Sequence, residues 1–323
     1  MPDSDRALAT IGSAAIAAMI IRVGEPAVRS ALWALVAASI LWGTTGTAAS
    51  FVSDAVSPIA IGAATMAIGG ALLLAISARG AVAAVRRPDT RRWLLIGAVG
   101  VVAYPLAFYS AMDLAGVAIG NVVALGSGPL FAALLERVID GRRLTRRWML
   151  GASAGIVGVA LLVAGGHGGE GGADSAGVPL GVALGLLAGA AYALYTFASG
   201  RVIGLGVSSR STMGAVFGLG AIPLAVVLLA TGRPILESPQ DVAIIGYLAV
   251  GPMLLGYVLF GWGLRSIRSS TVTVVTLLEP VIATLLAVLV VGERLDALGW
   301  AGLALILVGV TVVSTARRPV PAP

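Results

Sequence analysis

Cysteine and lysine are absent from this chain, histidine occurs once, and charged residues make up only 11% of its 323 positions. Without cysteine there is no disulfide, no thiolate metal site and no thiol nucleophile. Without lysine or a histidine in an apolar run, Schiff-base, acyl-transfer and metal-assisted hydrolytic schemes have no players. The single histidine, His167, sits in GGHGGEGGADSAGVP (Gly165 to Pro179) beside Glu170 and Asp174. Nothing rigid holds these three as ligands, so a solvated tether is the expected reading and no metal or other cofactor is expected. A phosphate-binding loop of the form GxxxxGK[ST] is also missing, so the chain by itself does not hydrolyse ATP.

The scarcity of charge sets the solvent. A soluble protein of this size carries about a quarter charged residues, whereas this one is 58% hydrophobic with a mean hydropathy of +1.00. The lipid bilayer is therefore the expected partner of most of its surface. A formal net charge of +6 raises the question of nucleic acid. Every basic residue is an arginine, however, and they occur in short clusters between apolar runs, as in loops facing anionic lipid. No nucleic-acid partner is expected.

A membrane helix needs about 20 mostly apolar residues. That ruler marks ten spans, at 31–52, 57–77, 93–113, 117–137, 148–164, 179–200, 211–231, 242–263, 272–291 and 298–316. The expected fold class is all-α and polytopic. With the N-terminus inside, all arginines except Arg233 and Arg294 fall on the cytoplasmic side, and the reverse orientation exports them. Both termini are thus expected in the cytoplasm. The apolar stretch Ala7 to Ile21 is short and follows the net acidic MPDSDR. It reads as a surface-lying segment or as sequence upstream of a start at Met19, since an eleventh span spoils the charge parity.

The chain repeats itself. A shift of 151 residues lays Gly128-Pro129 on Glu279-Pro280, Gly141 on Gly292, Arg143-Leu144 on Arg294-Leu295, Gly151 on Gly302 and Gly158-Val159 on Gly309-Val310. A shift of 150 lays Trp42 on Tyr192. Each half has five spans, an odd number, so the second copy enters the membrane inverted. Inverted repeats recur in secondary transporters, with the substrate site near the midplane between them. The organisation expected is an N-terminal segment (1–29), a first repeat (30–164), an external linker (165–178), a second repeat (179–316) and a tail (317–323).

Leu277 to Val310, LLEPVIATLLAVLVVGERLDALGWAGLALILVGV, closely resembles the closing segment of the EamA half-repeat of the drug/metabolite transporter superfamily. Val123 to Val163 is similar to the same segment in the first half, and ILWGTTGTA (Ile40 to Ala48) resembles the family's first-helix signature. The resemblance covers about residues 30 to 316. It implies a ten-helix carrier of the cytoplasmic membrane, often an exporter of amino acids, other metabolites or drugs, working by alternating access. Two departures stand out. Gly141-Arg142 replaces the usual Gly-Glu, which survives at Gly292-Glu293, and Gly128 precedes Pro129 where Glu279 precedes Pro280.

Glu279 stands about 10 Å into the apolar core when span 9 is started at Val272. An acid at the centre of a membrane helix costs on the order of 3 kcal/mol to insert, so such groups face a cavity or a partner. Thr273, Thr276 and Glu279 share one helical face, and Pro280 removes an N–H and crowds the turn before it, as Pro129 does in span 4. One reading has Glu279 bind a cationic group of the cargo or a coupling proton. The other has it pin span 9 to a neighbour by a hydrogen bond. Further candidates are Tyr192, Tyr195, Thr196 and Ser199 in span 6, Trp42 and Thr45 in span 1, Tyr104, Phe108 and Tyr109 in span 3, Asn121 and Ser127 in span 4, and Tyr257 in span 8. In the resembled family, spans 1, 3, 4, 6, 8 and 9 line the cavity. Aromatic rings around a polar pocket suit an amphipathic organic molecule, with cation–π contact available. Each residue taken singly is equally explained by packing.

The glycine series Gly181, Gly185 and Gly189, Gly151 with Gly155, and Gly214 with Gly218 are expected to seat helices within the bundle, with homodimerisation as the alternative. Asp54 and Asp113 fall at external helix ends, in reach of water. The readings that remain are a secondary transporter and, as the alternative, a non-transporting membrane scaffold or sensor or a lipid-handling membrane protein. A cavity reaching Glu279 favours the first, and a dry core the second.

Overall fold

A computed structural model describes residues 25–49, 51–115, 117–165, 177–286, 288 and 296–315. Ala7 to Ile21, His167, Glu170, Asp174 and the tail lie outside the described residues. The elements in chain order are α1 (Pro26–Ala49), α2 (Pro58–Ala75), α3 (Ala78–Arg86), α4 (Pro88–Ala115), α5 (Val117–Asp140), α6 (Arg146–Gly165), α7 (Val178–Gly204) and α8 (Ser209–Thr231). After a short 3-10 turn come α9 (Pro239–Leu248), a π-helical turn (Ala249–Leu255), α10 (Gly256–Gly263), α11 (Ser269–Val275), α12 (Leu278–Leu286) and α13 (Ala297–Ser314). No strand occurs among the described residues. The fold is all-α.

Among the described residues, eight helical segments are long and apolar enough to cross a membrane. The two other spans expected from sequence, 117–137 and 148–164, lie within α5 and α6. Helix α3 was not anticipated. Its arginine-bearing side is exposed while Ala81 and Ala84 pack inward, against α8 among others. Helix starts follow local chemistry. The Ser57 and Ser208 hydroxyls accept from Ala60 and Ser211 N–H groups, and Asp296 accepts from Gly299 N–H at 2.8 Å, which satisfies first-turn donors. Pro58 and Pro239 occupy opening positions, where no N–H is needed.

The helices are arranged as a pseudo-twofold pair. The first helix of each half packs on the third and fourth spans of the other half: α1 lies on α10 and α12, and α7 lies on α4 and α5. The closing helices α6 and α13 pack on each other, as do α2 and α8. The α6–α13 seam shows the symmetry at atomic level. A Cβ added at Gly151 would lie 2.8 Å from the Gly309 carbonyl oxygen, and one at Gly158 would lie 2.7 Å from that of Gly302. Gly151 and Gly302 are repeat-related, and so are Gly158 and Gly309, so the two contacts exchange under the twofold.

The other glycine series are also spent inside the chain. Gly181, Gly185 and Gly189 abut Ala115, Val123 and Ala124, and Gly214 and Gly218 abut Leu73 and Leu74. Close approach of backbones is what small residues permit in lipid, where dispersion contacts carry helix association.

Span 9 departs from a straight helix. It begins at Ser269, three residues earlier than the hydropathy ruler placed it, and breaks at Thr276 and Leu277. The break falls four residues before Pro280, whose ring crowds that carbonyl. Tightened bonds bridge it, from Leu277 N to Val274 O at 3.1 Å and from Glu279 N to Thr276 O at 2.9 Å. Threonine hydroxyls occupy carbonyls nearby: Thr276 donates to Thr273 O and Thr273 to Ser270 O. The repeat-related α5 carries Pro129 yet runs unbroken. Its equivalents of Thr273 and Thr276 are Val122 and Leu125, which have no hydroxyl to offer.

Candidate functional site

Unpaired polar groups in lipid are costly, so a cavity with polar walls inside a bundle is informative. One such cavity lies between the two halves. Its empty space, open mouth included, amounts to about 870 Å³. Eleven of the residues singled out above as site candidates line it: Trp42, Thr45, Tyr104, Phe108, Tyr109, Tyr192, Tyr195, Tyr257, Thr273, Thr276 and Glu279. In α1, α2 and α4 the lining residues sit in the halves farther from the arginine clusters.

The walls are largely aromatic. Tyr104 stacks on Phe108 at 5.5 Å and approaches Tyr192 at 6.0 Å, Tyr192 meets Tyr195 at 5.3 Å, and Trp42 meets Tyr257 at 5.0 Å. Hydrogen bonds fix them. The Trp42 indole N–H donates to the Pro252 carbonyl at 2.8 Å. That carbonyl lies in the π-helical turn, where the i→i+5 pattern and Pro252 disturb the ordinary ladder. Tyr192 and Thr276 share a hydroxyl pair at 2.7 Å, and Tyr195 and Tyr257 another at 3.0 Å.

Glu279 is the one charged side chain in the described lining. Its carboxyl forms no hydrogen bond or ion pair with the described residues, and the residue is only partly covered. Counted from Ser269, it lies ten residues into the span, or about 15 Å at helical rise, close to mid-depth. A cavity therefore does reach Glu279, and the expected pin to a neighbouring helix is not seen among the described residues. The repeat explains the one-sided carboxylate. At Gly128, the counterpart of Glu279, a Cβ would lie 2.9 Å from the Tyr192 ring. An aromatic ring from α7 fills the place a side chain would need.

Three candidates fall outside the cavity. Thr196 is fully buried behind the wall, its hydroxyl donating back to Tyr192 O at 2.7 Å. Ser127 is buried against α7 and donates to Ala124 O. Both follow from helix geometry, each residue turning by about 100°: Thr196 stands one position from the lining Tyr195 and Ser127 two from the lining Leu125. Ser199 is likewise buried, and its hydroxyl has no partner among the described residues. The side chain of Asn121 lies outside the described residues. Missed by the sequence reading are Gly62, Thr65 and Met66 of α2 and Leu248, Pro252 and Met253 of the eighth span. Thr65 offers a weak signal, a hydroxyl in an apolar helix, and the rest offer none.

A second buried acid also escaped. Glu136, near the arginine-rich end of α5, is 4% exposed. One carboxylate oxygen accepts the Ser270 N–H at 3.0 Å and the other the Ser270 hydroxyl at 2.9 Å. It thereby caps the first turn of α11, which has no cap of its own. An acid inside a 20-residue apolar window was the available signal. Around it the same end is tied further. Arg201 bonds Asp140 at 2.5 Å and lies over the Trp93 ring at 5.1 Å, and Arg87 donates to Leu205 O. Glu136→Ala is expected to lower stability by about 3 kcal/mol, because two buried donors lose their acceptor. Glu136→Gln, which keeps one acceptor oxygen, should recover part of it. Thermal midpoints in detergent check this, and an alanine variant as stable as the parent contradicts the bond pattern.

The comparisons with known proteins agree with this architecture. Residues 29–164 and 179–315 each match the model of the EamA-like transporter family. The chain belongs to that family. It is 31% identical to the uncharacterized transporter YwfM of Bacillus subtilis over 89% of this chain and 94% of that one. It is 29% identical to a protein of Ancylobacter novellus named aromatic amino acid exporter YddG, over 78% and 85% of the two chains. A solved crystal structure superposes with a TM-score of 0.73 at 24% identity, covering 88% of this chain and 96% of the other. The chain is thus a multi-pass membrane protein of a transporter family, built from two repeats.

Proposed function

We propose that this protein is a secondary transporter of ten spans in the cytoplasmic membrane, with both termini cytoplasmic, that exports a small organic metabolite or drug by alternating access. The cargo is amino-acid-like or amphipathic. The observation that carries this reading is the carboxyl of Glu279, unpaired among the described residues, on the wall of a mid-depth cavity between the two repeats. A membrane protein that merely scaffolds has no use for an uncompensated acid costing on the order of 3 kcal/mol. Glu279 meets a cationic group of the cargo or a coupling proton, while Pro280 and Pro129 let spans 9 and 4 bend as access alternates. The exporter name of one relative supports the direction.

The test is a metabolite and drug efflux screen in cells that lack or overproduce the protein. At least one small organic compound should be retained in the first and depleted in the second. A screen in which no compound's cellular level follows the protein would leave the transporter reading without support.

A further inference from the structure

We infer that the cavity takes an amphipathic amine, a protonated amino group on an aromatic or aliphatic frame, in preference to a zwitterionic amino acid. The inference rests on the reading above that this cavity is the cargo site. It is argued from what the walls offer and what they have already used.

Charge comes first. Glu279 is the sole charged group of the described lining, and every arginine among the described residues falls at a span end or in a connection, none at mid-depth. A bound carboxylate would therefore stand near an acid with no cation to neutralise it. Like charges close together inside protein repel, and a desolvated carboxylate without a partner is costly. An ammonium group in the same place gains an ion pair that Glu279 lacks within the protein.

Hydrogen-bond donors are the second consideration. A carboxylate without a cation needs several N–H or O–H donors to replace water. Most donors in the wall are already committed. The Trp42 N–H goes to Pro252 O, the Thr273 and Thr276 hydroxyls go to carbonyls of their own helix, and Thr65 donates to Ile61 O. The backbone donors of the surrounding helices are held in their own ladders. Hydroxyls on Thr45, Tyr104 and Tyr109 and one of the Tyr195–Tyr257 pair remain, which are neutral and cannot substitute for a cation.

The rings are the third. Tyr104, Tyr192, Tyr195, Trp42 and Tyr257 surround the acid's cavity within one connected set of ring contacts. Ring faces carry partial negative charge and favour cations while accepting apolar frames. All three features select for the same species, and each disfavours an anion.

The experiment is calorimetric titration of the purified full chain in detergent with phenethylamine, phenylalanine and phenylethanol, which share a phenyl frame and differ in charge. Phenethylamine should bind about ten- to a hundredfold more tightly than either of the others, the range for a hydrogen bond to a charged group. In Glu279→Gln that preference should collapse to within about threefold of phenylethanol, roughly the value of an ordinary neutral hydrogen bond. Phenylalanine binding as tightly as phenethylamine, an amine preference that survives Glu279→Gln, or no detectable binding of the amine overturns the inference. If the amine binds as expected but is not moved across proteoliposomes, the cargo class stands and the transporter reading falls.

Discussion

Cells carrying Glu279→Gln are expected to lose export of the protein's cargo by about ten- to a hundredfold, with normal amounts of folded protein in the membrane. The size follows from removing one charge-assisted contact, worth about 1.5–3 kcal/mol. Glutamine keeps the shape of the side chain and its hydrogen-bonding capacity, so what changes is the charge. The reason the fold should survive is specific to this site. Glu279 bonds to no described residue, so the substitution breaks nothing that holds span 9 to its neighbours. Its thermal midpoint should stay equal to or slightly above the parent's, since an unpaired acid in the interior is itself unfavourable. The contrast with Glu136 is useful here, because that acid holds two donors of α11 and its loss should be read in stability. Undiminished flux in Glu279→Gln would return this residue to a passive place in the wall.

Gly302→Ala is expected to destabilise the protein by about 3 kcal/mol, the upper part of the range for overpacking, with a fall of several degrees in thermal midpoint. The new methyl would lie 2.6 Å from the Gly158 carbonyl oxygen and closer still to the Leu162 backbone N. Both atoms are backbone in a regular helix, so no rotamer change relieves the clash, and α6 and α13 must separate along their whole seam. Gly46→Ala is the control. Nothing lies within 4 Å of its added Cβ, and alanine is the better helix former by about 1 kcal/mol, so its midpoint should hold or rise. Equal midpoints for the two variants would mean that α6 and α13 do not approach as closely as described.

The class of protein could be read from the linear order of residues because membrane spans are set by length and apolarity, which are local properties. Glu279 was visible for the same reason, an acid being conspicuous where nearly every neighbour is apolar. The aromatic residues of spans 1, 3, 6 and 8 reached the cavity as a group, but Thr196 and Ser127 did not, since hydropathy alone does not tell one face of an all-apolar helix from another. Met66, Leu248 and Met253 carry no mark at all. A side chain that meets lipid, a neighbouring helix or an apolar cavity wall has the same composition in each case.

What the sequence determined by itself was the solvent, the spans, the twofold repetition and the presence of one acid at depth, since each depends on residue type and spacing along the chain. Only the tertiary structure decided that Tyr192 fills the space above Gly128, that Glu136 caps a helix more than a hundred residues away, and that no described group answers the charge of Glu279. Those outcomes depend on which surfaces of two inverted halves meet. Distance in space between residues far apart in the chain is a property of their packing, and the order of letters does not contain it in readable form.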